Sequence, residues 1–241
     1  MIINVIGNKG GIGKTTISAY LAEYFEENNR DVIVIDTDPE NKTFLSYGWK
    51  NGLPINLKDE NDDISKSGFD DMLEIILNNK DKDIIIDNGA GSFNALINYF
   101  PENEILALFE DENIEHTIVG IVAGGGNAVD SLNGLNTILG GFDSDFIVFN
   151  NELLGTTELK GTKLQNTKVI ENHKQKIKAI IDIPKKNGYM VDDIIDFTKL
   201  RKKFGELKHD ENLKMMQKRR LVEYKKEIFE QLDKVFEFTK D

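Results

Sequence analysis

The sequence predicts a doubly wound α/β fold on a mostly parallel sheet, closed by a C-terminal helical segment. Three observations carry that expectation. Apolar, strand-like runs alternate with helical patterns across residues 1–185. The first run, Ile2 to Ile6, leads at once into a glycine loop and a helix start. Two continuous β-branched runs, VIVID and DIIID, each end on an acid, Asp36 and Asp87, as strands covered on both faces do in parallel sheets.

The elements follow in order. From Thr15 to Asn29, Ile17, Leu21 and Phe25 recur four apart, with Glu23, Glu26 and Glu27 elsewhere, which predicts an amphipathic helix. VIVID then makes the second strand, and two strands joined by a crossover helix form a βαβ unit. Residues 50–68 are polar, acidic and unpatterned, so they read as a surface connection. A helix is expected over Asp70 to Asn79, then the DIIID strand, the turn Asn88-Gly89-Ala90-Gly91 and a short helix through Phe100. Further strand-like runs are Ile105 to Phe109, Thr117 to Ala123, Phe146 to Phe149 and Ala179 to Ile183, each bounded by Gly, Asn, Asp or Pro. The texture changes after Pro184. Residues 1–185 are therefore read as one domain, with 186–241 as a helical extension packed on it.

Composition limits the function. The chain has 241 residues, a net charge of −12 and no cysteine, which excludes a disulfide scaffold, thiolate zinc and iron–sulfur clusters. No run of apolar residues is long enough to span a bilayer, and MIINVIGNKGG lacks a basic region followed by a long apolar stretch. A cytoplasmic protein that does not insert in membranes is expected. The charge is lopsided: residues 185–226 hold 13 Lys/Arg against seven Asp/Glu, a local +6.

The chemistry sits in KGGIGKTT, Lys9 to Thr16, between strand and helix. A polyphosphate needs several converging N–H donors, a helix N-terminus aimed at it and a lysine for its terminal oxygens. Gly10, Gly11, Ile12, Gly13 and Thr16 supply the wrapping backbone. Lys14 supplies charge, and the Thr15 hydroxyl is a ligand for Mg²⁺ beside ATP.

The loop departs from G-x-x-x-x-G-K-[ST], since Asn8 stands where the first glycine belongs and Lys9 follows it. This string resembles the deviant Walker A loop, K-G-G-x-G-K-[ST], of the ParA/MinD family of P-loop ATPases. The resemblance implies that Lys9 crosses an ATP-sandwich homodimer to touch the partner's nucleotide. VIDTDPENK, Val34 to Lys42, resembles the family's D-x-D-P switch, which implies that Asp38 positions the attacking water and Asp36 lies near Mg²⁺. DIIIDNGAG resembles its Walker B strand, which implies that Asp87 holds Mg²⁺ through a water. Asn88-Gly89-Ala90-Gly91-Ser92-Phe93 replaces the usual Thr and Pro there and resembles the plasmid-borne TraL/StbB-like branch. FIVFNN ends at Asn150 and Asn151, where the family often reads adenine with an Asn; the sequence does not separate the two.

The resemblance implies a slow ATPase that dimerises on ATP and serves plasmid partition, stability or conjugative transfer. The alternative is a nucleotide-bound scaffold without turnover. The nitrogenase iron protein and cluster scaffolds require cysteines that are absent, and dethiobiotin-synthetase-like enzymes lack the signature lysine. The tail from Glu227 onward has five acids and two lysines, a poor match for an anionic bilayer and a better one for a packing helix. Lys199, Arg201, Lys202 and Lys203, with Lys214, Lys218, Arg219, Arg220, Lys225 and Lys226, form two basic clusters. These clusters suit either solvated helix faces or a non-specific DNA groove, with a partition or transfer protein as the other candidate partner. His116, His173 and His209 carry no metal spacing, Tyr47 and Trp49 read as packing or loop residues, and Gly124 to Gly126 as a flexible loop.

Overall fold

The computed structural model describes all residues except 39–41, 59–64, 187 and 239–241. Seven strands form one parallel sheet: β1 (Ile2–Ile6), β2 (Val32–Asp36), β3 (Gly52–Pro54), β4 (Asp83–Asp87), β5 (His116–Ala123), β6 (Asp145–Asn151) and β7 (Ile177–Ile183), in the order β3-β2-β4-β1-β5-β6-β7. Parallel neighbours need crossovers, and helices supply them on both faces: α1 (Lys14–Glu27), α2 (Lys66–Leu77), α3 (Phe93–Glu102), α4 (Ile105–Asp111), α5 (Ala128–Gly141), α6 (Lys168–Asn172), α7 (Tyr189–Lys199) and α8 (Met215–Leu232).

Strand alternation divides the core into two layers. In β1, Ile3 and Val5 face the layer shared with α1, α7 and α8, while Ile2 and Ile6 face the layer covered by α2 to α6. The C-terminal segment belongs to the first layer. Leu221, Tyr224, Ile228 and Leu232 of α8 are buried there, and Tyr24 and Phe25 of α1 meet Phe236 at ring-centroid distances of 6.0 and 5.0 Å. The apolar stripe of α8 thus lies against its own domain, and no helix among the described residues is long and apolar enough to cross a membrane.

Three expectations are corrected. The connection at 50–68 contains an edge strand, β3, whose Gly52, Leu53 and Pro54 pair with Val34, Ile35 and Asp36. Proline is tolerated there because an edge strand leaves one side unpaired. The helix expected from Asp70 begins at Lys66, where Ser65 caps it by accepting the Ser67 N–H at 3.2 Å. Ile105 to Phe109 is helix, not strand: Ile105 and Phe109 are buried one turn apart, and Leu and Ala between them favour helix. Tyr47 and Trp49 are buried, the indole N–H donating to the Phe44 carbonyl at 2.8 Å.

Candidate functional site

The carboxyl ends of β1, β2 and β4 meet at one edge of the sheet, where ligands of open α/β folds bind. The loop after β1 turns through Gly11 and Gly13, at φ 74° and 103°, a region that glycine enters without a Cβ penalty. Gly13 is the N-cap of α1, so the helix start leaves its unpaired N–H groups at the loop. A Cβ at Gly13 would lie 2.9 Å from Asn151 Nδ2. That amide donates to the Ile12 carbonyl at 3.1 Å and braces the loop from β6.

Lys14 is buried, and its Nζ donates to the Lys9 carbonyl at 2.9 Å. Burial lowers its pKa, while Asp87 and Asp38 oppose the shift. A neutral carbonyl is a weaker acceptor for an ammonium than a phosphate oxygen, so this bond leaves Lys14 ready to exchange partners. Lys9 turns outward and pairs with Asp130 of α5. The unusual Asn8 fits because α5 has a glycine opposite it: a Cβ at Gly134 would stand 2.3 Å from Asn8 Oδ1. Asn8 also donates to the Asp130 carbonyl at 3.0 Å.

The acids converge from two strands. Asp36 and Asp87 are register partners. Asp87 accepts from Thr15 Oγ1 at 2.6 Å and Ser18 Oγ at 3.0 Å. Its carboxyl is pushed up to about 7, by burial first and then by Asp36, while Thr15, Ser18 and Lys14 pull the other way. Asp36 accepts the backbone N–H groups of Asp38, Phe44 and Leu45 at 3.0, 2.9 and 3.3 Å, and so ties down both flanks of the switch. Burial raises its pKa and those bonds oppose it. Asp38 lies against Gly89: a Cβ there would be 3.7 Å from Asp38 Cβ. Pro39 of the D-x-D-P stretch falls outside the described residues.

Between loop and acids lies a cleft of about 400 Å³ that includes Gly10, Lys14, Thr15, Asp36, Asp38 and Asp87. Next to it is a more apolar cleft of about 480 Å³, with Ile17, Asn151, Leu153, Leu154, Ile183 and Ile195 on its walls. Gly11, Gly13, Thr16 and Arg201 border both. Of the two amides ending β6, only Asn151 lines the apolar cleft. Asn150 donates to Asp182 at 2.7 Å and accepts from Thr157 Oγ1 at 2.6 Å. The donor set suits a nucleotide's phosphates with a divalent cation: hard oxygens from one hydroxyl and two carboxylates, a lysine, and a loop of free N–H groups. Among the described residues no group of three or more His, Cys, Asp or Glu could hold a metal alone.

Gly124 is held by packing. Its N–H donates to the Asn151 carbonyl at 2.8 Å, and a Cβ would collide with the Gly155 carbonyl. Sequence reasoning missed three neighbours of the site: Ser18, which the K-T-T-x-S spacing places one turn beyond Lys14; Asp130; and Arg201. The last two come from distant segments and left no local signal.

A parallel sheet that brings a glycine loop, its lysine and two strand-end acids to one edge defines a P-loop nucleotide-binding domain. Residues 3–230 match the family described as CobQ/CobB/MinD/ParA nucleotide binding domain, and the chain belongs to it. It is 34% identical over 232 residues to Protein TraL of Escherichia coli, covering 95% of each chain. It is also 33% identical over 92 residues to ATPase GET3 of Chaetomium globosum, covering 37% of this chain and 25% of that one. Among solved structures, the MinD cell division protein of Aquifex aeolicus aligns over 93% of this chain and 94% of its own, with a TM-score of 0.48 and 16% identity.

Proposed function

We propose that this protein is an ATP-binding, slowly ATP-hydrolysing switch of the ParA/MinD type, which dimerises on ATP in the cytoplasm and serves plasmid partition, stability or conjugative transfer. The observation that carries the reading is the loop itself. Lys14 reaches back into its cradle, and Lys9, held on the surface by one exposed ion pair, is free to cross to a second copy. Exposed pairs are weak, about 0–1 kcal/mol, so Asp130 does not prevent that crossing. The likeness to Protein TraL supports the plasmid setting.

The loop N–H groups from Gly10 to Thr16 and Lys14 bind the phosphates. Thr15, Asp87 and Asp36 would hold Mg²⁺, which when bound draws negative charge from the phosphate oxygens. Asp38 orients the attacking water, and the Lys9 ammonium faces charge on the partner's nucleotide. Positioning and charge balance are most of what phosphoryl transfer asks of a protein. Asn151 stands at the adenine side. Non-specific DNA, or a partition or transfer protein, is the proposed cargo.

Sedimentation velocity tests the switch. The Asp38→Ala protein should run as a dimer with Mg·ATP and as a monomer without it, and adding Lys9→Ala should restore the monomer. One species under all these conditions would overturn the reading.

A further inference from the structure

Arg201 belongs to a basic cluster that a linear reading leaves as either a solvated helix face or a DNA groove, but its surroundings differ from those of its neighbours. Lys199, Lys202 and Lys203 are each paired with an acid of this chain, Asp196, Asp210 and Glu26. Arg201 forms no ion pair among the described residues. Its Nη1 donates to the Thr198 carbonyl at 3.3 Å, and the guanidinium stands beside the Tyr47 hydroxyl, partly offsetting the rise in pKa that burial imposes on that phenol. The residue is only partly exposed. Its φ of 54° is left-handed, a conformation that non-glycine residues adopt at a cost.

Its position is as specific as its lack of a counter-ion. Together with Gly11, Gly13 and Thr16, Arg201 borders both the phosphate-loop cleft and the apolar cleft beside it. Among the described residues Lys14 and Arg201 are the cations lining the first of these, opposite Asp36, Asp38 and Asp87. A half-buried guanidinium without a carboxylate, at the seam between an anion cradle and an apolar slot, fits a ligand that is anionic on one side and aromatic on the other. Arginine suits the seam because its fork of N–H donors grips phosphate oxygens in two places and its plane stacks on rings.

We propose that Arg201 is a nucleotide-binding residue supplied in cis by the C-terminal segment, holding the phosphate nearest the nucleoside. The inference rests on the nucleotide reading of the loop. It assigns Arg201 to the site and removes it from any DNA-facing surface. Because the contact is at the nucleoside end of the chain of phosphates, ADP and ATP need it equally.

Calorimetric titration of the full chain with Mg·ADP and Mg·ATP tests this, with adenosine titrated to millimolar concentration by NMR. Arg201→Ala should weaken ADP and ATP alike by about ten- to a hundredfold, the range of one charge-assisted contact. Arg201→Lys should recover part of that, and adenosine affinity should not change. Lys208→Ala, which removes an exposed charge from the same segment, should bind like wild type. Unchanged ADP and ATP affinity in Arg201→Ala, beside a Lys14→Ala protein that no longer binds, overturns this assignment and leaves the loop reading standing. Equal losses for adenosine, or an equal loss in Lys208→Ala, reduce Arg201 to a structural or bulk-charge role and overturn it too. Wild-type protein that binds neither nucleotide overturns both.

Discussion

Asp36 and Asp87 end adjacent strands as register partners, so two carboxylates share one buried strand edge. Without a cation between them, that arrangement costs stability. The Asp87 carboxyl, pushed up to about 7 chiefly by burial, is held protonated well above its unfolded range. Its favourable contribution is therefore complete below about pH 4 and is lost as pH rises toward about 7. Asp87→Asn should raise the melting temperature of the nucleotide-free protein at pH 7.5 by several degrees, since each kcal/mol is worth about 2–4 °C in a chain of this size. The same variant should lose Mg²⁺-dependent nucleotide binding. Differential scanning calorimetry with and without Mg·ATP reads both effects, and a lower melting temperature for the apo variant would contradict the account.

His116 sits at the opposite end of the sheet and titrates in the opposite sense. Its ring lies 5.3 Å from that of Phe109, its Nε2 bonds with Asn4 Nδ2 and its Nδ1 with Ser144 Oγ, both at 2.9 Å. Burial pushes its pKa down to about 3. The unfolded chain takes up this proton near pH 6.5, so stability falls as pH drops from there toward about 3, by at most about 1.4 kcal/mol per pH unit. Urea unfolding across that window should give a flatter profile for His116→Gln than for wild type, read as a difference because Asp87 acts in the other direction. Parallel profiles would contradict it.

Much of this site can be read from the sequence because its chemistry is local. Glycines 11 and 13, Lys14 and Thr15 lie within one short string, and the β-branched runs before Asp36 and Asp87 mark buried strands whose ends must share an edge. What escaped reading depends on tertiary placement. A three-residue edge strand containing Gly52 and Pro54 has no period to detect, and the Ile105 run is too short for apolarity alone to separate helix from strand. Arg201 and Asp130 reach the loop only because α7 and α5 fold beside it. The basic stretch shows the same limit, since its charge was visible but its partners were not.

Those partners change what the stretch can do. Six of the ten cations named for it, Lys199, Lys202, Lys203, Arg220, Lys225 and Lys226, pair with acids of this chain. Arg220 holds the buried Asp193, which also accepts from Gln217 Nε2 at 3.0 Å, so Arg220→Ala should destabilise the fold by roughly 1–3 kcal/mol by leaving that carboxylate without its counter-charge. Exposed Arg219, with Lys214 and Lys218, remains for phosphates. Electrophoretic mobility shifts should show weak, ATP-dependent, sequence-independent binding to duplex DNA at low salt. Arg219→Ala should lower the salt slope by about one in a log–log plot. No shift at ~50 mM salt, where phosphate contacts are strongest, would assign the stretch to a protein partner or to none.

In the proposed function the loop serves a switch that turns over when Lys9 reaches a second copy. Hydrolysis of saturating Mg·ATP, followed as phosphate release across a wide range of protein concentration, decides whether it does. The rate per protomer should be slow and should climb with protein concentration until dimers saturate, while a Lys9→Ala protein should bind ATP but stay at the basal rate. Wild-type protein that binds Mg·ATP and releases no phosphate at any concentration would contradict the claim and leave a nucleotide-bound scaffold in its place.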